Sequence, residues 1–274
     1  MKISVLMSVY YKEKSEYLNQ ALESIVNQTL KPAEIVIIKD GKISEELVNI
    51  LLKYKNKYEQ LIEIYSLPNN VGLGKALKYG VEKCKFEYIA RMDTDDIAPL
   101  YRLEEQAKIL EKNPDIDILG GYIEEYDEQM KEIISLRKVP LTIEEIKKYI
   151  KFQSPFNHGT VIMKKDAVIS AGNYNDVQLE DYDLWARMLI NKCKMMNITL
   201  ILGKNRTGNS MYKRRSGIKQ IQKVIEIEKK LLSYKIINRY TCLKNIVLRS
   251  IIAILPLKIK NIIYVNVIRK IKTD

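Results

Sequence analysis

Tyr88-Ile89-Ala90-Arg91-Met92-Asp93-Thr94-Asp95-Asp96 runs from an apolar segment straight into three carboxylates within four residues. Ionised carboxylates repel one another and prefer water, so a buried strand that ends this way needs a compensating partner. The usual partner is a divalent cation with oxygen ligands, shared with the phosphates of a substrate. The ends of strands are also where open α/β sheets hold their ligands. An acidic turn leading into a helix near Pro99 is the plainer alternative, since Asp is favourable at a helix start.

Strand and helix patterns alternate around this stretch. Apolar strand patterns fall at 3–7, 35–38, 61–67, 88–92 and 116–119, and helical spacing at 15–27, 45–58, 73–84 and 100–111. Such alternation predicts an α/β fold, a mostly parallel Rossmann-like sheet with helices on both faces. From Gly120 the pattern changes: 122–139 is charged and irregular, a hairpin or an excursion. A helix follows at 142–151, where Thr142 and Glu145 make a capping box. Strand patterns at 160–163 and 195–202 flank a helix at 181–190.

The 274 residues, 46% hydrophobic, allow one large domain or a catalytic domain with an appendage. No low-complexity tract points to disorder. Cys84, Cys193 and Cys242 are scattered, which implies a reducing compartment and excludes a disulfide framework. The first apolar run stops at Ser8, too short for a signal peptide and better read as a strand.

The net charge of +12 is unevenly placed. From Lys213 to Asp274 there are 16 Lys/Arg against three acidic residues, a net of +13, which leaves the rest at −1. A uniformly basic protein would suggest nucleic acid. A near-neutral globule with a basic, aliphatic tail suggests an anionic membrane surface instead, and no nucleic acid. The most apolar tail segments, 250–257 and 261–268, are split by Lys258 and Lys260 and are too short to span a bilayer. They suit an interfacial helix, or helices packed on the catalytic domain with a basic outer face.

Four features fall at strand ends: Ser8-Val9-Tyr10, Lys39-Asp40-Gly41, Asn70-Val71-Gly72-Leu73-Gly74-Lys75 and Arg91–Asp96. On adjacent strands they would share one rim. There an aromatic can stack on a base, a carboxylate can bind base or ribose, and Lys75 can meet phosphate. Singly, Tyr10 also reads as a core aromatic, Asp40-Gly41 as a turn and Gly72/Gly74 as a weak glycine pair. The G-x-G-x-x-G spacing of a dinucleotide site is absent.

Taken together, Ser4–Tyr10, Ile25-Val26-Asn27-Gln28-Thr29, Asp40-Gly41, Asn70–Leu73 and Arg91–Asp96 resemble glycosyltransferase family 2, in order and spacing, over about residues 1–125. Pro155–Met163, Glu180-Asp181-Tyr182-Asp183-Leu184-Trp185 and the basic segment Met211–Gly217 extend the resemblance to about residue 217, the last toward members that build bacterial surface polysaccharides. The resemblance implies a GT-A fold and inverting transfer from a nucleotide sugar, usually a UDP-sugar. By it, Ser8 and Tyr10 lie on the nucleotide, with Tyr10 against the uracil. Asp40 hydrogen-bonds the base, and Asp93 contacts the nucleoside. Asp95, with Asp93 beside it, binds Mn2+ or Mg2+; Asp96 is less often a ligand. Two departures stand out: Lys39 replaces the first of two acids before the glycine, and Ser8 and Tyr11 replace a Pro and an Asn around Tyr10.

The resemblance makes Asp181 the base that accepts the acceptor's proton, with Glu180 orienting acceptor or loop. Acids at 180, 181 and 183 also simply favour a helix start. His158, the lone histidine, reads as a hydrogen-bonded structural residue more readily than as a catalyst, and its expected place is the acceptor pocket or a loop supporting it. Arg214 and Arg215 form either a diphosphate clamp or a solvated pair. The expected organisation is a GT-A domain at 1–217, with a nucleotide-sugar half at 1–121 and an acceptor half at 122–217. A helical, basic, membrane-associating tail follows at 218–274.

The expected activity is metal-dependent transfer from a UDP-sugar to a saccharide on polyprenyl diphosphate, in capsule, O-antigen or exopolysaccharide synthesis at the inner membrane face. A sugar-nucleotide nucleotidyltransferase would want a glycine-rich loop with a basic residue after strand one, where this chain has Ser8-Val9-Tyr10-Tyr11. A non-catalytic membrane or nucleic-acid adaptor would need none of Asp93, Asp95 and Asp181.

Overall fold

Every residue of Ile3–Val9 is buried, as a strand covered on both faces requires. This strand, β1, lies inside the sheet of a computed structural model that describes residues 1–207 and 216–256. The first half alternates as its pattern predicts: α1 (Ser15–Val26), β2 (Glu34–Lys39), α2 (Glu45–Lys57), β3 (Ile62–Ser66), α3 (Leu73–Lys83), β4 (Tyr88–Arg91) and α4 (Arg102–Lys112). Then come β5 (Ile118–Tyr126), β6 (Ile133–Arg137), α5 (Ile143–Tyr149), a 3-10 turn at His158–Thr160, β7 (Ile162–Lys164) and α6 (Lys165–Ser170). The described chain ends with α7 (Glu180–Ile190), β8 (Met195–Arg206), α8 (Ile218–Ser233) and α9 (Arg239–Ile254).

The strands form one mixed sheet in the order β3-β2-β1-β4-β7-β5-β6, with β8 also on β5. β1–β4 are mutually parallel, and β8 runs parallel along β5. The short β7 is antiparallel to both β4 and β5, and so joins the two halves of the chain. Side-chain alternation on β1 and β2 divides the core in two. Val5, Met7, Ile35 and Ile37 pack with α1, α2 and α4 on one face. Leu6, Val36 and Ile38 pack with α3 and, further along, Trp185 of α7 on the other.

The expected strand at 116–119 is only the start of β5, which continues to Tyr126 and turns back into β6, so the irregular stretch is a hairpin. The division expected after residue 121 therefore falls inside a strand, and both halves share one sheet. α5 carries the capping box: Thr142 accepts from the Glu145 N–H, and the Glu145 carboxylate accepts from the Thr142 N–H.

The basic tail is built into the body as far as it is described. Ile227 and Leu231 of α8 and Cys242 of α9 join the second core. Glu228, fully buried, accepts from Asn245 Nδ2 at 3.0 Å and Arg249 Nη1 at 2.9 Å, clasping α8 to α9. Among the described residues no helix is long and apolar enough to cross a membrane. The segment 261–268 lies outside the described residues.

Candidate active site

The loop after β4 is pinned from behind. Gln28, wholly buried behind α1, donates from Nε2 to the Pro99 carbonyl at 2.8 Å and accepts from the Leu103 N–H at 3.0 Å. This holds the acid-bearing turn against the end of the parallel strands. There a cleft of about 710 Å3 opens, bounded by Ser8, Tyr10, Asp40, Gly72, Arg91, Asp93, Thr94, Asp95 and Arg206. Five of the residues expected on the nucleotide or metal, Ser8, Tyr10, Asp40, Asp93 and Asp95, thus share one rim.

Asp40 is 2% exposed and organises the opposite wall. Its Oδ1 accepts from the Val71 N–H at 2.7 Å. Its Oδ2 accepts from the Gly72 N–H at 3.1 Å and from Asn70 Nδ2 at 3.0 Å. The carboxylate therefore shapes the Asn70–Gly72 turn as well as facing the cleft. Lys75 is placed elsewhere: its ammonium pairs with Asp176 at 2.6 Å, both half-exposed, and it does not line this cleft.

The three acids after β4 have separate environments. Asp93 Oδ1 accepts from Arg91 Nη2 at 2.6 Å. Burial pushes the Asp93 carboxyl up, but Arg91 foremost, with His158 and Arg102, together hold the group below the usual carboxylate range. Asp96 turns inward, accepting from the Arg206 N–H at 3.1 Å and from Asn205 Nδ2. Burial, then the charges of Asp95 and Asp93, push it well above that range. Asp95 faces the cleft with Asp93. Among the described residues no three His, Cys, Asp or Glu side chains converge to cage a metal ion. Two strand-end carboxylates and a diphosphate are nevertheless a fitting donor set for Mg2+ or Mn2+, which take one or two carboxylates and complete their shell with phosphate and water.

Two cations here carry no role in the sequence reading. Arg91 is 1% exposed and Arg206 half-buried, and among the described residues the Nε–H of each finds no partner. The Arg206 guanidinium lies 4.2 Å from the Tyr17 ring centre and donates to the Asp95 carbonyl and to Gln20. It ends β8, read from sequence as stopping at 202. The alternation of Lys204 and Arg206 beyond that point was the available signal. Arg214 and Arg215 lie outside the described residues.

On the far side of Arg91, the Asn157-His158-Gly159 turn meets the acid cluster: a Cβ on Gly159 would lie 3.0 Å from Asp93 Oδ2. His158 Nε2 and the Tyr174 hydroxyl share a 2.8 Å hydrogen bond, and the imidazole packs edge-on to Trp185. Desolvation, then Arg91, push His158 down to about 4, so it is neutral at physiological pH. Glu180 and Asp181 open α7 nearby. Ser154 donates to Asp181 Oδ2 at 3.3 Å. Burial, then the Asp181 charge, push Glu180 up to about 8. Gly74 permits this proximity: a Cβ there would strike the Asn175 carbonyl and come within 3.2 Å of Glu180 Cβ. The turn that Asp40 holds thus also abuts the acids of α7. Asp183 is consumed structurally, bonded by Arg187 Nε at 2.9 Å, Asn175 at 2.8 Å and the Tyr234 hydroxyl at 2.8 Å.

A mixed sheet that gathers acids at the end of its fourth strand, with a further acid pair beside them, defines a GT-A glycosyltransferase. The fold matches the S. aureus TarS 1–349 structure in complex with UDP-GlcNAc, at a TM-score of 0.68 and 17% identity over 91% of this chain and 72% of that one. A sequence profile described as "Glycosyl transferase family 2" matches residues 4–171, and the chain belongs to that family. It is 36% identical over 262 residues to the "Amylovoran biosynthesis glycosyltransferase AmsE" of Erwinia amylovora, covering 95% of this chain and 97% of the relative. It is 35% identical over 270 residues to the Escherichia coli "UDP-Gal:alpha-D-GlcNAc-diphosphoundecaprenol beta-1,3-galactosyltransferase", covering 98% of this chain and 97% of the relative.

Proposed function

We propose that this protein transfers a sugar from a UDP-sugar, with inversion, to a saccharide carried on polyprenyl diphosphate during bacterial polysaccharide synthesis. The observation that carries it is the placement of the acids in two groups on different elements. Asp93 and Asp95 face a cleft shared with Tyr10 and Asp40, while Asp181 stands on another element, outside that cleft. The full-length similarity to the E. coli enzyme supports the acceptor class.

In this reading Tyr10 stacks on the base and Asp40 accepts from it, on the wall it already braces. Asp95, with Asp93, holds Mn2+ or Mg2+, which supplies positive charge against the departing diphosphate. Arg91 and Arg206 put further cationic donors beside the same cleft. Asp181 accepts the proton of the attacking hydroxyl from the face opposite the leaving group, as inversion demands. Glu180, kept protonated by its surroundings, limits that face to one carboxylate charge. His158 supports the acceptor wall as a neutral ring.

UDP release measured over a panel of UDP-sugars, with a polyprenyl-diphosphate saccharide and with or without Mn2+, tests this. NMR of the product gives the anomeric configuration. Metal-stimulated release with one donor and an inverted linkage is expected; release from none, or a retained configuration, overturns the proposal.

A further inference from the structure

The outer face of α9 is unlike the rest of the surface. Eight positions of Arg239–Ile254 are exposed, and six are large and apolar: Tyr240, Leu243, Val247, Leu248, Ile251 and Ile254, each 48 to 76% exposed. They recur at helical spacing opposite the inward Cys242, Asn245 and Ala253. The other two are Arg239 and Lys244. Soluble surfaces rarely line up apolar side chains in this way unless something covers them.

Charge decides what covers it. No Asp or Glu occurs from Lys229 to Thr273, a stretch with 11 Lys/Arg. A second copy of this chain would bring two such basic surfaces together, with repulsion at close range. An apolar stripe flanked by lysine and arginine, without acids, is complementary to an anionic lipid surface, where aliphatic side chains enter the acyl boundary and cations meet headgroups.

Position supports the same occupant. Asn245, on the inner side of α9, donates from Nδ2 to the Lys151 carbonyl at 2.8 Å. Three residues on, Ser154 donates to Asp181. Three Cα steps span at most about 11 Å, so one short strut joins α9 to the acid pair of α7.

We infer that the exposed face of α9 seats the enzyme on an anionic bilayer and, through the 151–154 strut, holds Asp181 at the height of a lipid-borne acceptor. The purpose of this contact rests on the proposed reaction; the contact itself does not. It also shifts the membrane-facing surface upstream of the segments singled out by hydropathy, 250–257 and 261–268, onto the whole length of α9.

The test uses the full chain carrying Leu243→Gln, Val247→Gln and Ile251→Gln, changes on exposed positions that leave the core intact. A control carries Leu52→Gln and Ile133→Gln, exposed elsewhere. Flotation with vesicles of phosphatidylcholine containing phosphatidylglycerol is compared with phosphatidylcholine alone. Wild type and control should bind the anionic vesicles, and the triple variant should partition roughly tenfold less or worse. Transfer to a water-soluble short-chain acceptor should be unchanged, while transfer to the acceptor in vesicles falls. Equal flotation of triple variant and wild type overturns the inference. So does a wild-type dimer, seen by light scattering, that the triple variant dissolves, since the face would then be covered by a second copy. If no acceptor of any kind is glycosylated but flotation depends on α9, the reaction fails and the docking surface stands.

Discussion

Two of the stretches with three acids within four residues lie in the candidate site: Asp93-Thr94-Asp95-Asp96 after β4, and Glu180-Asp181-Tyr182-Asp183 at the start of α7. Their sequences look alike and their surroundings do not. In both, the last acid is taken out of play by distant partners: Asp96 by Asn205 and Arg206, Asp183 by Arg187, Asn175 and Tyr234. The leading acids diverge. Arg91 bonds Asp93 and keeps it ionised, whereas burial and Asp181 push Glu180 up to about 8. The leading acid of one cluster holds negative charge against a cation, and that of the other keeps a proton beside a carboxylate. A cation within bonding distance, or none, makes the difference.

That contrast breaks most visibly at Asp95. Asp95→Ala should lower transfer by about 10³-fold, the scale of losing a charge-stabilising group, and abolish the metal dependence of UDP binding. Unchanged, metal-coupled UDP binding by titration calorimetry would move the metal away from β4. Next in size, Asp181→Asn should cost roughly 10²-fold or more in kcat, the range of a general base, with UDP-sugar affinity intact. Near-normal transfer in that variant would leave Glu180 as the base and dissolve the division of roles.

A stability effect comes third. Asp183→Asn strands Arg187 in the core and should cost about 3 kcal/mol in denaturant unfolding, while kcat per folded molecule stays within about twofold. A loss of rate without loss of stability would return Asp183 to the chemistry. The smallest effect sharpens the comparison most. Glu180→Gln replaces a carboxyl already protonated at neutral pH, so transfer at pH 7 should change by less than about threefold. The native Glu180 titrates near 8 and the unfolded one near 4.5, so the native state keeps a proton that the unfolded state loses between those values. Wild-type stability should therefore fall as pH rises through that window. Thermal denaturation at pH 5 and 8.5 should show a shallower fall for Glu180→Gln; equal slopes would place the proton elsewhere.

Local physics made much of this readable. The alternating half announces itself because β1 and β2 carry the apolar runs Val5–Met7 and Ile35–Ile38 and their helices are amphipathic. Ser8, Tyr10, Asp40, Asp93 and Asp95 meet because parallel neighbours bring their ends to one rim. What sequence could not supply was pairing across long separations. Lys75, aimed by its motif at phosphate, is captured by Asp176, about 100 residues downstream. Arg206 reaches the cleft only because β8 continues past its apolar stretch to pair with β5 up to Tyr126. Asp183 is neutralised partly by Tyr234 of the basic tail. That charged segment advertised a surface, although one side of each helix packs inward.

β7 is three residues long, yet it closes the open edge of β4 and joins it to β5. During synthesis, β4 emerges with no partner on that side until Ile162–Lys164 follow, more than 70 residues later. At 5–20 residues per second the ribosome leaves that edge bare for roughly 4–15 s. An exposed strand edge is a template for wrong pairing. A nascent chain stopped near residue 121 would carry Ser8, Tyr10, Asp40, Asp93 and Asp95 on a sheet that cannot yet shut, with Arg206 of the same cleft still to come. The order of translation thus makes the second half of the chain the cover for an edge that the first half leaves open.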